Sequence, residues 1–158
     1  EMYNTLYGVS TISLRYFNVF GPRHQEEGSY STVIAIFRRQ KRLGQKLTIV
    51  GDGEQKRDFT FVGDVVRANV LAAMNREAVG VYNVGCGKNY TINEVASIVG
   101  GETVNIPARL GEARVTLANI DKISSVLGWK PNITLKQGLE VLDVYEKVDP
   151  PGRIILGA

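Results

Sequence analysis

The sequence predicts an α/β fold of the open, doubly wound type, in which short apolar strands alternate with amphipathic helices. From Val9 to Leu14, small polar and apolar side chains alternate as in a strand, and Gly21-Pro22 ends this segment abruptly. Apolar repeats at helical spacing follow later in the chain. Ligands bind beyond the carboxyl ends of strands in such sheets, so we expect Asn18 near a site, unless it only caps a turn.

The composition is that of an ordinary soluble chain: 158 residues, 44% hydrophobic and 22% charged. Without an apolar run of about 20 residues or an N-terminal signal, the sequence predicts a cytoplasmic protein with no membrane partner. The formal charge is +3, and the basic cluster from Arg38 to Arg42 has the spacing of a solvated helix face. No aromatic or recognition-helix residues accompany this cluster, so we expect no nucleic-acid partner.

Reactive sulfur and metal chemistry are not expected. Cys86 is the single cysteine, and His24, the single histidine, lies far from it in sequence. A catalytic thiol needs a neighbouring base, and a metal site needs ligands at short spacing. The sequence therefore predicts neither, and it predicts no intramolecular disulfide.

The first elements are a helix end, a strand and a second helix. Residues from Glu1 to Tyr7 predict the end of a helix that Gly8 closes, and a strand from Val9 to Phe17 follows. A helix is then expected from about Tyr30 to Leu43, ended by Gly44. Its apolar face, expected to be mostly core, consists of Tyr30, Val33, Ile34 and Phe37.

A hairpin is predicted next. Leu47 to Val50 forms its first strand, Asp52-Gly53 its turn, and Arg57 to Val62 its return limb. Asp64 is then expected to cap a helix from about Val65 to Arg76. Apolar residues of this helix repeat at helical spacing, namely Val66, Val70, Ala73 and Met74. Because the helix is so apolar, we expect it to be largely buried.

The remaining elements are marked mainly by helix caps. A short strand from Val81 to Val84 precedes a capping box, Thr91 with Glu94, that opens a helix ended by Gly100-Gly101. A short strand is expected at 103–106, a loop at 107–114 and a helix at about 120–127. A second capping box, Thr134 with Gln137, opens the last helix, which Pro150-Pro151 ends.

The segment from Leu14 to Arg23 also resembles a known motif. It is similar to the Arg-Tyr-Phe-Asn-Val-(Tyr/Phe)-Gly-Pro-Arg segment of extended short-chain dehydrogenase/reductases, the nucleotide-sugar epimerase and dehydratase family that includes UDP-glucose 4-epimerase. Further similar segments follow in the family's order: Gly51-Asp52-Gly53-Glu54-Gln55-Lys56-Arg57-Asp58-Phe59, Val62-Gly63-Asp64-Val65-Val66, Tyr82-Asn83-Val84-Gly85 and Leu127-Gly128-Trp129-Lys130-Pro131. The resemblance covers residues 1 to about 147 and corresponds to the second half of the family's chain.

This resemblance implies the C-terminal part of a Rossmann-type protein with its smaller mixed α/β substrate-binding domain. Residues 1–23 and 62–90 would be remnants of the Rossmann-type domain, 24–61 and 91–147 the nucleotide-sugar-binding domain, and 148–158 a tail. The family's glycine-rich NAD motif and its Tyr-x-x-x-Lys helix do not occur in the sequence. We therefore expect no catalytic residue in this chain, and an N-terminal NAD-binding half that is missing from it.

The activity implied for a complete protein is NAD-dependent C4 epimerisation of a UDP-hexose. The absent Tyr would be the base, the absent Lys would lower its pKa, and NAD would be bound mainly by the missing half. The resemblance also implies a UDP-sugar as partner and a homodimer at full length. Dehydratase or decarboxylase chemistry of the same family and a noncatalytic nucleotide-sugar-binding domain remain the alternatives.

Two arginines are the main candidates for binding the substrate. Guanidinium groups from separate segments can clamp a diphosphate through charge-assisted hydrogen bonds, and Arg57 and Arg114 are such a pair. The resemblance implies that they converge on the nucleotide diphosphate, with Asn18 beside it. We therefore expect the two arginines on opposite walls of one cleft and Asn18 at its floor.

The resemblance implies further contacts with substrate and cofactor. Backbone donors near Val33, at the start of a helix, would bind phosphate, and the backbone from Thr48 to Val50 would pair with the edge of uracil. Position 48 is often aromatic in relatives and position 50 sometimes Asn, so the residues here leave the base open. Tyr16 and Phe17 would lie near the nicotinamide.

Overall fold

Helices and strands alternate through residues 2–28 and 30–149, which are the residues that this computed structural model describes. The mixed α/β fold predicted from the sequence is confirmed. In chain order the elements are α1 (Met2–Tyr7), β1 (Ile12–Tyr16), β2 (Asn18–Phe20), α2 (Val33–Arg42), β3 (Leu47–Val50), β4 (Lys56–Phe61), α3 (Val62–Met74), β5 (Gly80–Val84), β6 (Asn89–Thr91), α4 (Ile92–Val99), β7 (Thr103–Ile106), α5 (Asp121–Leu127) and α6 (Leu135–Val148).

The described strands form three small sheets in which parallel pairing predominates. Strands β1 and β5 pair in parallel, with Ile12 opposite Gly80. Strand β4 lies between β2, to which it is parallel, and β6, to which it is antiparallel. Strands β3 and β7 form the third, parallel pair.

The predicted first strand is two strands. Pairing with β5 begins at Ile12 instead of Val9, and it ends after Tyr16. The amide of Phe17 still donates to the carbonyl of Val84, 3.0 Å away, and the chain then joins β4 as β2. Gly21 follows this change of sheet because the backbone passes close to α3: a Cβ there would lie 2.3 Å from Cγ1 of Val62.

The predicted hairpin is wrong, because β3 and β4 lie in different sheets. The link between them packs against the start of α4. A Cβ at Gly53 would lie 2.1 Å from Oδ1 of Asn93, and the Asn93 amide donates to the Gly53 carbonyl. The turn is therefore shaped by α4, and it does not fold β4 back onto β3.

Helix α2 begins later than predicted. Thr32 is its N-cap, and the Thr32 hydroxyl accepts a hydrogen bond from the amide of Ala35. Tyr30 lies before the helix with 88% of its surface exposed, so its assignment to the core is wrong. Ile34 and Phe37 are fully buried, as predicted.

Helix α3 begins at Val62, before Asp64, so Asp64 is not its cap. The Asp64 carboxylate is buried in the first turn, where it accepts from the backbone amides of Asn132 and Ile133 at 3.0 Å each. Its carbonyl accepts from the indole of Trp129, also at 3.0 Å. Asp64 thus attaches α3 to the segment that leads into α6.

The prediction of which face of α3 is buried is also wrong. Val65, Ala68 and Ala72 face the core. Residues that the sequence placed in the repeat are instead exposed, namely Val66, Val70, Ala73 and Met74. Because apolar side chains surround this helix, its sequence does not indicate which face packs against β1 and β2.

Two clusters of buried side chains form the core. The first contains Phe20 with residues of α2, β3, α4 and α6; the second contains Trp129 with residues of α3, β5 and α5. The predicted division into sequence ranges stays a prediction, and core contacts cross it. Phe20, which belongs to the predicted Rossmann-type ranges, packs among residues of 24–61 and 91–147. Ile123 and Trp129, which belong to the predicted nucleotide-sugar-binding ranges, pack among residues of 62–90.

Most local predictions about helix ends are confirmed. Both capping boxes are present, Thr91 with Glu94 and Thr134 with Gln137. Gly8 and Gly128 adopt positive φ after α1 and α5. The predicted helix end at Pro150-Pro151 and residues 150–158 of the predicted tail lie outside the described residues, whereas Val148, predicted to be in the tail, still belongs to α6. Among the described helices, none has the length and apolar character required to cross a membrane.

Candidate functional site

A cavity of about 320 Å³, which we call the Arg57 cavity, lies between the start of α2, the edge of β3 and the loop after β7. Its lining combines cationic, amide and hydroxyl groups with aliphatic side chains, as small-molecule sites do. Five of the six residues predicted to bind substrate line it: Asn18, Val33, Thr48, Val50 and Arg57.

Arg57 is the most firmly held cation of this cavity. Its side chain is only 12% exposed, and one Nη donates to Oε1 of Glu112, 2.8 Å away. The other Nη donates to the Lys56 carbonyl at 2.9 Å. A guanidinium has five N–H donors, so several remain without a partner among the described residues. Arg57 is therefore fixed in place yet able to bind an anion.

Arg114 does not line the Arg57 cavity. It binds Asp52 through both Nη atoms, at 2.7 and 2.8 Å, and both side chains are more than half exposed. The two residues line an adjoining cavity of about 300 Å³, the Asp52 cavity. The hydrogen bonds from Arg114 lower the pKa of the Asp52 carboxyl to about 2.

Arg109 is a cavity residue that the sequence analysis missed. It lines both the Arg57 cavity and the Asp52 cavity, as does Glu112. Within residues 2–28 and 30–149 its guanidinium has no ion-pair or hydrogen-bond partner. The sequence does contain a signal for it: Arg109 lies in the same predicted loop, 107–114, as Arg114 and is an equally suitable anion ligand.

Polar donors at the start of α2 face the same cavity. Ser31, Thr32 and Val33 line it, and the first amides of a helix have no partner within the helix. The Ser31 hydroxyl oxygen is buried without a hydrogen-bond partner in the described part of the chain. A buried hydroxyl left in this way is unfavourable unless a ligand or water completes it.

The outer edge of β3 offers backbone groups to the cavity. Alternate residues of β3 bond to β7, so Thr48 and Val50 turn their backbone groups toward the other edge. There the Thr48 amide donates to Gln40 at 3.1 Å, and the Val50 carbonyl accepts from Gln55 at 3.0 Å. The Thr48 carbonyl and the Val50 amide have no partner among the described residues.

Tyr16 and Phe17, predicted near the nicotinamide, lie at the carboxyl end of β1 and do not line the Arg57 cavity. Tyr16 is 48% exposed, and its hydroxyl donates to Oδ1 of Asn69 at 2.9 Å. It lines a separate cavity of about 590 Å³ between β1 and α3. The proposed role of these aromatic rings stays a prediction.

A buried carboxylate that the sequence analysis missed holds the loop after β5. Asp58 is fully buried, and it accepts from the amides of Cys86 at 2.6 Å, Gly87 at 3.0 Å and Ala118 at 3.1 Å. Burial and, secondarily, the charge of Asp58 raise the pKa of the Cys86 thiol. A protonated thiol is a poor nucleophile.

The basic cluster of α2 is not simply a solvated face. Arg39 and Arg42 form ion pairs with Glu27 and Glu26, from the loop after β2. The side chain of Arg38 is more buried than those of Arg39 and Arg42: it is only 9% exposed, and it pairs with acidic residues of α6. Much of this positive charge is therefore neutralised within the described chain.

Known proteins match this chain over most of its length. Residues 1–85 match the model of the NAD dependent epimerase/dehydratase family. A putative UDP-glucose 4-epimerase of Methanocaldococcus jannaschii is 39% identical over 89% of this chain and 47% of its own. A UDP-N-acetyl-alpha-D-glucosaminuronate decarboxylase of Bacillus cytotoxicus is 32% identical over 91% and 49%, respectively.

A solved structure agrees with these matches. The UDP-glucose 4-epimerase of Thermotoga maritima with UDP-glucose has a TM-score of 0.85 to this chain at 36% identity. The match covers 93% of this chain and 49% of the solved one. This chain thus spans about half the length of the curated relatives that it matches.

Proposed function

Because this chain belongs to the NAD dependent epimerase/dehydratase family, we propose that it forms the nucleotide-sugar-binding part of an NAD-dependent 4-epimerase of a UDP-hexose. The observation that carries this proposal is that Asn18, Arg57 and Arg109 line one and the same cavity. We also propose that the chain is the C-terminal half of a polypeptide about twice as long, which matches the coverage of its relatives.

The diphosphate of the substrate would lie between Arg57 and Arg109. A charge-assisted hydrogen bond contributes about 1.5–3 kcal/mol, whereas an exposed ion pair contributes only about 0–1 kcal/mol. Arg57 is mostly buried and its direction is fixed by Glu112, so it belongs to the stronger class. Asn18 can donate its amide to a phosphate oxygen, and Ser31 and the first amides of α2 supply further donors.

Arg114 remains a proposed ligand of the diphosphate, but it must first leave Asp52. The free energy lost when that pair opens reduces the net gain from a new contact with phosphate. Arg109 has no such pair among the described residues, and Arg57 already lines the Arg57 cavity, so it can keep its bond to Glu112 while its remaining N–H groups bind phosphate. We therefore propose Arg57 and Arg109 as the principal clamp and Arg114 as a weaker contributor.

The base would pair with the outer edge of β3. There the Thr48 carbonyl is an acceptor and the Val50 amide a donor, and both lie at the Arg57 cavity. The imide edge of uracil presents a donor beside an acceptor, which is complementary to this pair of groups. The side chains of Thr48 and Val50 add no further polar selection, so binding of UDP and ADP should be compared directly.

NAD would be held mainly by residues outside this chain, since no glycine-rich dinucleotide motif occurs in the sequence. The residues that fit it here are Tyr16 and Phe17, whose rings at the carboxyl end of β1 could pack against a planar ring system. When bound, NAD supplies reversible hydride transfer. This chain would hold the nucleotide of the substrate so that the sugar is oriented toward that site.

The test is a reaction of the full-length protein with NAD and UDP-glucose, followed by NMR of the sugar nucleotide. We expect the C4 epimer to form without loss of atoms. Release of water or carbon dioxide would replace this proposal with the dehydratase or decarboxylase alternative, which the similarity to the Bacillus cytotoxicus decarboxylase favours. Saturable UDP-sugar binding without turnover would support the noncatalytic alternative.

A further inference from the structure

Three potential metal ligands come together where the loop after β2 meets α6. His24, Glu26 and Glu146 each offer one ligand atom, and these atoms all lie within 4.8 Å of one another. None of the three lines the Arg57 cavity. We propose that His24, Glu26 and Glu146 bind a Zn²⁺ ion that fastens this loop to α6. The proposal is independent of the enzymatic function proposed above.

The His24 ring lacks a partner that a cation would provide. Its Nδ1 atom is buried and has no hydrogen-bond partner in the described part of the chain. A buried polar atom in this state is unfavourable. An imidazole nitrogen without a hydrogen-bond partner can serve as a metal ligand.

The loop is held against α6 at this point without any ion. Arg23 adopts the left-handed region, with φ of 64°, and its Nε donates to the Tyr145 hydroxyl at 3.2 Å. That hydroxyl donates in turn to Oδ2 of Asp149 at 2.5 Å. Since Arg23 precedes His24 and Tyr145 precedes Glu146, this contact sets the two ligands beside each other. A metal would bind groups that are already close together.

Both glutamates of the cluster are paired with arginines but keep lone pairs for a cation. Glu26 is paired with Arg42, and Arg38 is shared by Glu146 and Asp143. Around His24, two carboxylates, those of Glu26 and Glu146, thus face two guanidinium groups, those of Arg38 and Arg42, so the charges balance before a cation enters. Glu146 accepts from Arg38 through Oε1, and its Oε2 has no partner among the described residues. Because each carboxylate oxygen has two lone pairs, Glu26 can retain Arg42 and bind a metal as well.

The donor set indicates Zn²⁺ rather than a harder ion. Imidazole nitrogen with carboxylate oxygen suits Zn²⁺, whereas Mg²⁺ and Ca²⁺ prefer oxygen ligands alone. Bond lengths of about 2.0–2.2 Å place tetrahedral ligand atoms roughly 3.4 Å apart, so the glutamate side chains must rotate inward. The two nearby guanidinium groups weaken cation binding, and we therefore expect micromolar rather than nanomolar affinity.

The experiment is calorimetric titration of ZnCl₂ into chelator-treated, full-length protein, together with the visible spectrum of the Co²⁺ form. We expect one ion per chain, a tetrahedral Co²⁺ spectrum and a zinc-dependent rise in Tm. His24→Gln should weaken Zn²⁺ binding roughly tenfold or more and abolish the rise in Tm. Glu146→Gln should also weaken binding. Glu140→Gln, an exposed change on the same helix, is the matched control and should bind as the wild type does.

His24→Gln is the decisive variant because it removes no ion pair, whereas Glu146→Gln also removes a partner of Arg38. Two results would overturn the proposal. One is the absence of saturable Zn²⁺ binding to the wild type. The other is unchanged binding by His24→Gln, in particular if Cys86→Ser abolishes binding instead.

Discussion

Arg114 and Asp52 face each other in a two-point ion pair, with Nη1 2.7 Å from Oδ1 and Nη2 2.8 Å from Oδ2. The resemblance to the family predicted that Arg114 would face a diphosphate across from Arg57. The structure instead holds its guanidinium against a carboxylate at the adjoining Asp52 cavity. Any contact between Arg114 and substrate must therefore compete with Asp52.

The Asp52 carboxyl should titrate at about pH 2, because hydrogen bonds from Arg114 favour its charged form. Its ordinary pKa is 3.8, so the stabilisation from this pair is complete above that pH and is lost as the pH falls toward 2. Carbon-detected NMR of the side-chain carboxyl measures the midpoint. Arg114→Gln should raise it toward the ordinary value, and Arg39→Gln should leave it unchanged. An ordinary midpoint in the wild type would contradict the pair.

Removal of the cavity arginines should weaken UDP binding in a defined order. Arg57→Ala and Arg109→Ala should each weaken it roughly tenfold or more, since each removes over about 1.4 kcal/mol of charge-assisted hydrogen bonding. Arg114→Ala should weaken it less, because wild-type binding through Arg114 must break the pair with Asp52. Calorimetry with UDP measures the three affinities.

Arg39→Ala is the control for this series, since Arg39 lies on α2 outside the Arg57 cavity and pairs with Glu27. Its affinity for UDP should equal that of the wild type. A larger loss for Arg114→Ala than for Arg109→Ala would show that the pair opens on binding and that Arg114 is the second arginine of the clamp.

Asp58→Asn should destabilise the fold by about 2–5 kcal/mol. The fully buried carboxylate accepts from the amides of Cys86, Gly87 and Ala118, and an amide group would turn a donor toward at least one of them. Urea unfolding measures the change in free energy. Asp121→Asn, at the exposed start of α5, should cost less than about 1 kcal/mol. Equal effects of the two substitutions would contradict this role for Asp58.

Gly138→Ala should lower the stability of the protein even though alanine favours helices. A Cβ at this position of α6 would lie 2.5 Å from Cζ of Phe20 and 3.0 Å from Cδ2 of Phe61. Overpacking costs about 1–3 kcal/mol, which exceeds the gain of about 1 kcal/mol from helix propensity. Thermal unfolding should show a lower Tm. Lys136→Ala, exposed on the same helix, should leave Tm almost unchanged, and a rise in Tm for Gly138→Ala would contradict the contact.

Local features of this protein were determined by the sequence alone. The capping boxes of α4 and α6 and the glycines after α1 and α5 depend on hydrogen bonds and φ angles within four residues, so a short segment is enough to predict them. The ordered series of motifs likewise identified the family, and five predicted binding residues do line one cavity.

Tertiary structure decided the pairing of strands, the buried face of α3 and the partner of Arg114. Strand β3 pairs with β7, more than 50 residues later, and the link after β3 packs against Asn93 instead of folding β4 back onto β3. Which face of α3 is buried was decided by its packing against β1 and β2, because apolar residues occur all around this helix. Arg114 pairs with Asp52, and Arg109 lines the Arg57 cavity, because loops distant in sequence meet there. Such contacts depend on burial and charge contributed by remote segments, which local sequence patterns do not encode.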